Sequence, residues 1–142
     1  MADGYWGTTT YRSIRNKNVK VMTLTFTANT GDATIPDYTF TAADLAFVEG
    51  MFLYFIQTDP GATGPSNGAW DVTIKDANAY EILGNAADNL SSTLTQTNFP
   101  LFDGTNISYP LMASTAYTIT IEGNAVNSAT ATIILYFTAF GI

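Results

Sequence analysis

Twelve carboxylates, no cysteine and no histidine make up the reactive inventory of this 142-residue chain. Two carboxylates on one element could hydrolyse a glycosidic bond, and Asp71 and Asp76 are the pair whose spacing invites that test. Asp76 falls where a turn is expected, and no apolar pocket is evident that would raise either pKa. Both are therefore read as solvent groups that serve solubility and turn formation. Asp76 and Asn78 also match the first two oxygen positions of a calcium loop, but Tyr80 and Glu81 break the rest of that pattern. Trp6, Trp70 and eight tyrosines could form a sugar-stacking surface. Trp70 alternates with core residues, which leaves Trp6 as the candidate for an exposed anchor. Without cysteine or histidine there is no disulfide, thiolate, ordinary zinc or imidazole chemistry. No phosphate loop or nucleophile elbow occurs. The expectation is no catalytic, cofactor-binding or metal site.

The element that organises the rest is the stretch 69–84, AWDVTIKDANAYEILG, read as a β-hairpin. Trp70, Val72 and Ile74 alternate with Asp71, Thr73 and Lys75, so a period of two puts the apolar residues on one face. Residues 76–79 supply the turn, because short Asx side chains bond their own backbone and tolerate unusual φ. Tyr80 and Ile82 resume the alternation, with Glu81 facing water. A hairpin cannot stand alone in water, so other strands must cover it. Candidates lie on both sides. Residues 19–28, VKVMTLTFTA, alternate with a slip near Met22 that suggests a bulge. Residues 33–40 form a short extended segment in which Pro36 favours an edge. Thr41 and Asp44 have the spacing of a capping box, enough for one or two helical turns ending at Gly50. Residues 51–58, MFLYFIQT, read as a strand buried on both faces. Residues 85–104 read as polar and irregular, 107–111 as briefly extended, and 117–121 and 130–137 as strands antiparallel to one another. These add up to an all-β fold, an antiparallel β-sandwich of about seven strands with at most one short helix.

Apolar residues make up 46% of the chain and charged residues only 12%, about half the usual charged share. Such a thin charged coat points either to cover by other protein or to a β protein that uses Thr, Asn and Ser for its polar face. Arg12, Arg15, Lys17 and Lys20 stand against one acid in the first twenty residues, whereas Lys75 stands against eleven acids thereafter. This basic leader on an acidic body argues against a general nucleic-acid partner. No apolar stretch is long enough to span a bilayer as a helix, and no signal peptide is evident.

Residues 1–17 are expected to form an extended N-terminal arm, and residues 18–142 the sandwich domain. The arm carries Tyr5, Trp6 and Tyr11 among Gly, Thr, Ser and Asn. Fully extended it would reach roughly 55 Å, far beyond the radius of gyration of about 14 Å of the globule. Tyr5, Trp6, Tyr11, Arg12, Arg15, Lys17 and Lys20 are the expected partner-binding residues, since aromatic and Arg anchors concentrate binding energy.

From Gly50 onward the chain resembles small virion proteins of tailed bacteriophages. The resemblance rests on TDPGATGP at 58–65, WDVTIKDANAYEILG at 70–84, AADNLSS at 86–92 and ITIEGNAVNSATATIILYF at 119–137. It implies a non-enzymatic assembly role. The expected function is a bacteriophage capsid decoration, or cement, protein that stabilises the major capsid shell. The alternatives are a head-to-tail connector or tail or baseplate protein, and a carbohydrate-binding or host-adhesion module. Implied partners are the major capsid protein, neighbouring copies of the chain as a homo-oligomer on the particle, or both, with no cofactor, no direct nucleic acid and no membrane. The implied location is the virion, at the capsid surface, after synthesis in the host cytoplasm.

Overall fold

The computed structural model describes residues 3–14, 16 and 18–139. Among these the chain runs β1 (Tyr5–Trp6), β2 (Thr10–Ile14), β3 (Val19–Thr27), β4 (Tyr38–Thr39), α1 (Ala42–Val48), β5 (Phe52–Pro60), β6 (Asp71–Lys75), β7 (Gln96–Asn98), β8 (Thr118–Glu122) and β9 (Thr130–Thr138). The strands form two antiparallel sheets in an all-β, sandwich-like fold. The larger runs β1-β3-β9-β5-β7, with β2 also paired to β3; the smaller runs β4-β8-β6.

The core lies between the sheets. Met22, Leu24 and Phe26 of β3, Leu53 and Ile56 of β5 and Ile133, Leu135 and Phe137 of β9 face Val72 and Ile74 of β6 and Ile119 and Ile121 of β8. Trp70, fully buried, closes the gap between the sheets against Phe26. Its indole nitrogen donates to the Ser91 carbonyl at 3.0 Å.

Four expectations change on contact with the tertiary structure. Residues 5–6 and 10–14, expected within an extended arm, are strands paired to β3: Tyr5 pairs with Thr27, and residues 10–14 pair in unbroken register with 23–19. Backbone hydrogen bonding along β3 holds a segment that lacks any strand period of its own. β3 itself has no bulge, because it pairs with β9 in continuous register over nine residues. The apparent slip arises because Val21 and Met22 point to opposite faces and are both covered. β8 and β9, expected to pair, lie in different sheets, with the connection crossing the sandwich. β9 alternates core-facing Ile133, Leu135 and Phe137 with half-buried Ile134 and Tyr136, and it takes a central place between β3 and β5. Glu81, expected in water, folds back: Oε1 accepts from the Ile74 amide at 3.0 Å and Oε2 from the Gly84 amide at 2.6 Å. Burial pushes its carboxyl above the ordinary range, and these amides partly offset that push.

Two local signals become structure as read. The Thr41 hydroxyl accepts from the Asp44 amide at 3.2 Å and the Asp44 carboxylate from the Thr41 amide at 2.8 Å, so the capping box forms and starts α1. Asp76 accepts from the amides of Asn78 and Tyr80, and Ala79 takes a φ of 63°, which turns the chain after β6. The return arm pairs briefly, through the bridge of Lys75 with Glu81, the Asp76 amide on the Tyr80 carbonyl and the Ile82 amide on the Ile74 carbonyl, because the partner of β6 along its length is β8. Gly84 then passes so close to Leu101 that a Cβ would run into the Leu101 carbonyl oxygen, and its φ of 61° already favours glycine.

Candidate functional site

The residues expected to bind a partner separate into two groups. Trp6 donates from its indole nitrogen to the Pro36 carbonyl at 2.7 Å and packs its ring against Phe26 and Tyr38, each 5.4 Å away. Tyr11 donates to the Asp44 carboxylate and stacks at a tilt on Phe47, 4.8 Å between centroids. Lys20 donates to the Phe47 carbonyl at 2.9 Å and sits 5.0 Å over the Phe47 ring. That places a cation at the carbonyl end of α1, where the helix dipole favours it. Trp6, Tyr11 and Lys20 thus engage the chain's own body. Tyr5 and Arg12 remain exposed, and Arg15 and Lys17 lie outside the described residues.

Asp44 is the hub of the first group. It is fully buried and accepts from Tyr11 of β2, Tyr38 of β4 and the Thr41 amide, with no cation in the set. Three elements are fastened at one carboxylate. Burial, then the hydrogen bond to Asp44, pushes the Tyr38 hydroxyl up to about 12, and the same causes raise Tyr11. Both hydroxyls therefore remain proton donors at neutral pH.

The outer face of the large sheet holds what the sequence did not reveal. Between Leu53 and Phe55 the register of β5 on β9 shifts by one residue. A bulge of this kind lets two successive side chains emerge on one side, and Tyr54 and Phe55 do so between buried Leu53 and Ile56. Arg12, Val21, Tyr136 and Phe55 are cross-strand neighbours in one row. Phe55 and Tyr136 stack at 4.3 Å and 24°. Phe99 and Tyr109 extend the cluster through Tyr54, at 5.8 and 5.5 Å. All five rings are half-buried. Beside them, the short side chains of Val21 and Thr23 leave a trough of about 470 Å³ between Arg12 and Tyr136. The run 51–58 hinted at this face through its adjacent Tyr and Phe, but only the bulge turns both outward.

A second apolar feature flanks β7. The loop bridged by Leu101 and Ile107 stands beside the strand and leaves a groove of about 380 Å³ lined by Thr97, Phe99, Leu101 and Ile107. Phe102 is 61% exposed, Ile107 53% and Leu94, just before β7, 67%.

The outer side of the small sheet is acidic. Asp71 stands directly opposite Glu122 in the register of β6 and β8, and its Oδ1 accepts from the Asn89 amide at 2.7 Å. Burial, then the carboxylates of Asp71 and Glu122, raise the Asp88 pKa. A raised acid pKa means that the folded state holds the proton more tightly than the unfolded chain. Ionised Asp88 thus costs stability above its folded pKa, and the cost vanishes as pH falls below the ordinary carboxylate value of about 4. Asp88→Asn is expected to raise Tm at pH 7 by about 1–2 °C, within the usual range for surface changes. The gap should close toward pH 3 and shrink in high salt. A gap that is the same at both pH values in thermal melts would remove the ionised Asp88 carboxylate as its cause.

Among the described residues no three His, Cys, Asp or Glu side chains gather as a group that could hold a metal ion, and no helix is long and apolar enough to cross a membrane. No known protein family, curated protein or solved structure matches this chain.

Proposed function

We propose that this chain is a non-enzymatic structural protein of a tailed-bacteriophage virion, acting as a capsid decoration protein that clamps joints between major capsid subunits. The observation that carries the reading is the cluster of large apolar side chains left in water beside β7, with Phe102 and Ile107 each more than half exposed next to a lined groove. Exposed aromatic and aliphatic groups around a groove are anchors for another protein surface. The low charge of the chain, 12% of residues, leaves such contacts little competition from solvated side chains. The sequence resemblance from Gly50 onward supports the same reading.

An adhesion module would need aromatic faces open to sugar rings. Phe55 and Tyr136 instead use their faces on each other, at 4.3 Å and 24°, so the larger aromatic cluster favours a protein partner. The test is quantitative mass spectrometry of purified virions, together with rebinding of the Phe102→Asp/Ile107→Asp variant to particles stripped of the chain. The expected result is a ratio to the major capsid protein of one or a simple fraction of it, and rebinding weakened by about tenfold or more. A ratio of a few per cent would move the chain to the neck or tail. Its absence from virions would sink the reading.

A further inference from the structure

We propose that the outer face of the six-stranded sheet is a self-docking surface, joining two copies of this chain sheet against sheet, with Arg12 of each copy opposite Asp59 of the other. The inference goes beyond the virion reading and does not depend on it, since it concerns a different surface from the β7 groove.

The charge pattern carries the argument. Among the described strand residues that point outward from this sheet, the register places Thr10, Arg12 and Ile14 on β2, Val19, Val21, Thr23 and Thr25 on β3, Thr132, Ile134 and Tyr136 on β9, Phe55, Gln57 and Asp59 on β5 and Thr97 on β7. Arg12 and Asp59 alone are charged, one of each sign, and both are exposed. No carboxylate among the described residues forms an ion pair with Arg12, and Asp59 accepts only from the Thr95 hydroxyl, at 2.9 Å. A chain of net charge −7 repels its own copies, yet this face brings no excess of like charge together, whereas the small sheet would present Asp71, Asp88 and Glu122.

The geometry is self-complementary. Arg12 and Asp59 are separated by three strand spacings across the sheet, about 14 Å, and by four residues along it, about 13 Å. They occupy opposite corners of a near-square. A two-fold axis lying in the interface along the other diagonal exchanges those corners, so each Arg12 meets the partner copy's Asp59. The same axis passes near Phe55 and carries Ile134, close to the centre, over the trough between Val21 and Tyr136 of the other copy. The strands of the two copies then cross at nearly a right angle, the orthogonal mode of sheet packing. Three strands of nine residues, β3, β5 and β9, with the shorter β1, β2 and β7 beside them, lie about 4.8 Å apart and outline roughly 600 Å², about three quarters of the roughly 800 Å² per partner of a standard stable interface.

Sedimentation of the full chain across the micromolar range tests this, with circular dichroism to check that each variant is folded. The wild type is expected to dimerise. Arg12→Asp and Asp59→Arg should each weaken the dimer by about tenfold, while the double reversal should restore it to within about threefold of the wild type. Ile134→Asp should leave a folded monomer. A wild type that stays monomeric overturns the proposal, even if a shell protein later proves to cover the face. A dimer indifferent to Ile134→Asp, or single reversals that the double variant does not rescue, overturn it equally.

Discussion

Asp44→Ala is expected to lower the unfolding free energy by about 3–5 kcal/mol, a fall in Tm of about 10–15 °C for a chain of this length. The carboxylate is wholly buried and is the acceptor for two tyrosine hydroxyls and one backbone amide. Hydrogen bonds to a charged group each contribute roughly 1.5–3 kcal/mol, and removing one partner leaves the others desolvated and unpaired. The helix also loses its side-chain return to the Thr41 amide, worth about 1 kcal/mol. The damage extends beyond the helix. Tyr11 holds β2 and Tyr38 holds β4, so hydrogen exchange should quicken in all three elements together. Asp44→Asn keeps the shape and one oxygen acceptor and should lose about half as much. Urea unfolding of the three proteins checks the order; an alanine variant within about 1 kcal/mol of the wild type would show that the carboxylate fastens nothing.

Trp70→Ala should cost about 3–5 kcal/mol, in the range of buried Trp and Phe truncations. No part of its surface reaches solvent. Its ring meets Phe26 of the opposite sheet nearly edge-on at 6.0 Å and 70°, and its indole nitrogen satisfies the Ser91 carbonyl. The truncation therefore opens a cavity at the point where the sheets touch and releases the loop before β7, which also leans on the backbone pairing of Trp70 with Leu90. Trp70→Phe should fall between, since it keeps part of the ring but lacks the donor. The expected signature is a drop in Tm of 10 °C or more for alanine, about half that for phenylalanine. Loss of amide protection should concentrate at residues 89–95. Protection lost evenly over the chain would mean that the indole supports the core alone and not the loop.

The particular elements show where sequence reading reached and where it stopped. The alternation in 71–75 and 117–121 identified β6 and β8, because each strand sets apolar residues on the core face against polar residues on the other, which is the condition that makes period two visible, even though Thr73 on the polar side of β6 is itself buried. The Thr41–Asp44 spacing identified α1 because a capping box is satisfied within four residues. The Asp76 turn was legible for the same reason. Strand pairing was not legible. Periodicity reports which face a residue takes and says nothing of which strand lies beside it, so β8 and β9 read as partners although they belong to different sheets. The pairing of the leader with β3 was not legible either, because it is made by backbone groups that every sequence carries.

The candidate surfaces divide the same way. Composition, charge placement and alternation in the sequence determined that this is a chain with few charges, a basic start and an acidic remainder, built from strands around an apolar core. Tertiary structure alone decided what those residues do. It turned Trp6, Tyr11 and Lys20 inward to the chain's own body, left Arg12 exposed on one corner of a sheet and Asp59 on the other, and set a one-residue bulge that brings Tyr54 and Phe55 out together. The physical reason is that burial is a property of neighbours distant in sequence. Local periodicity fixes the direction of a side chain, and only the packing of strands brought together from the whole chain determines whether protein or water lies in that direction.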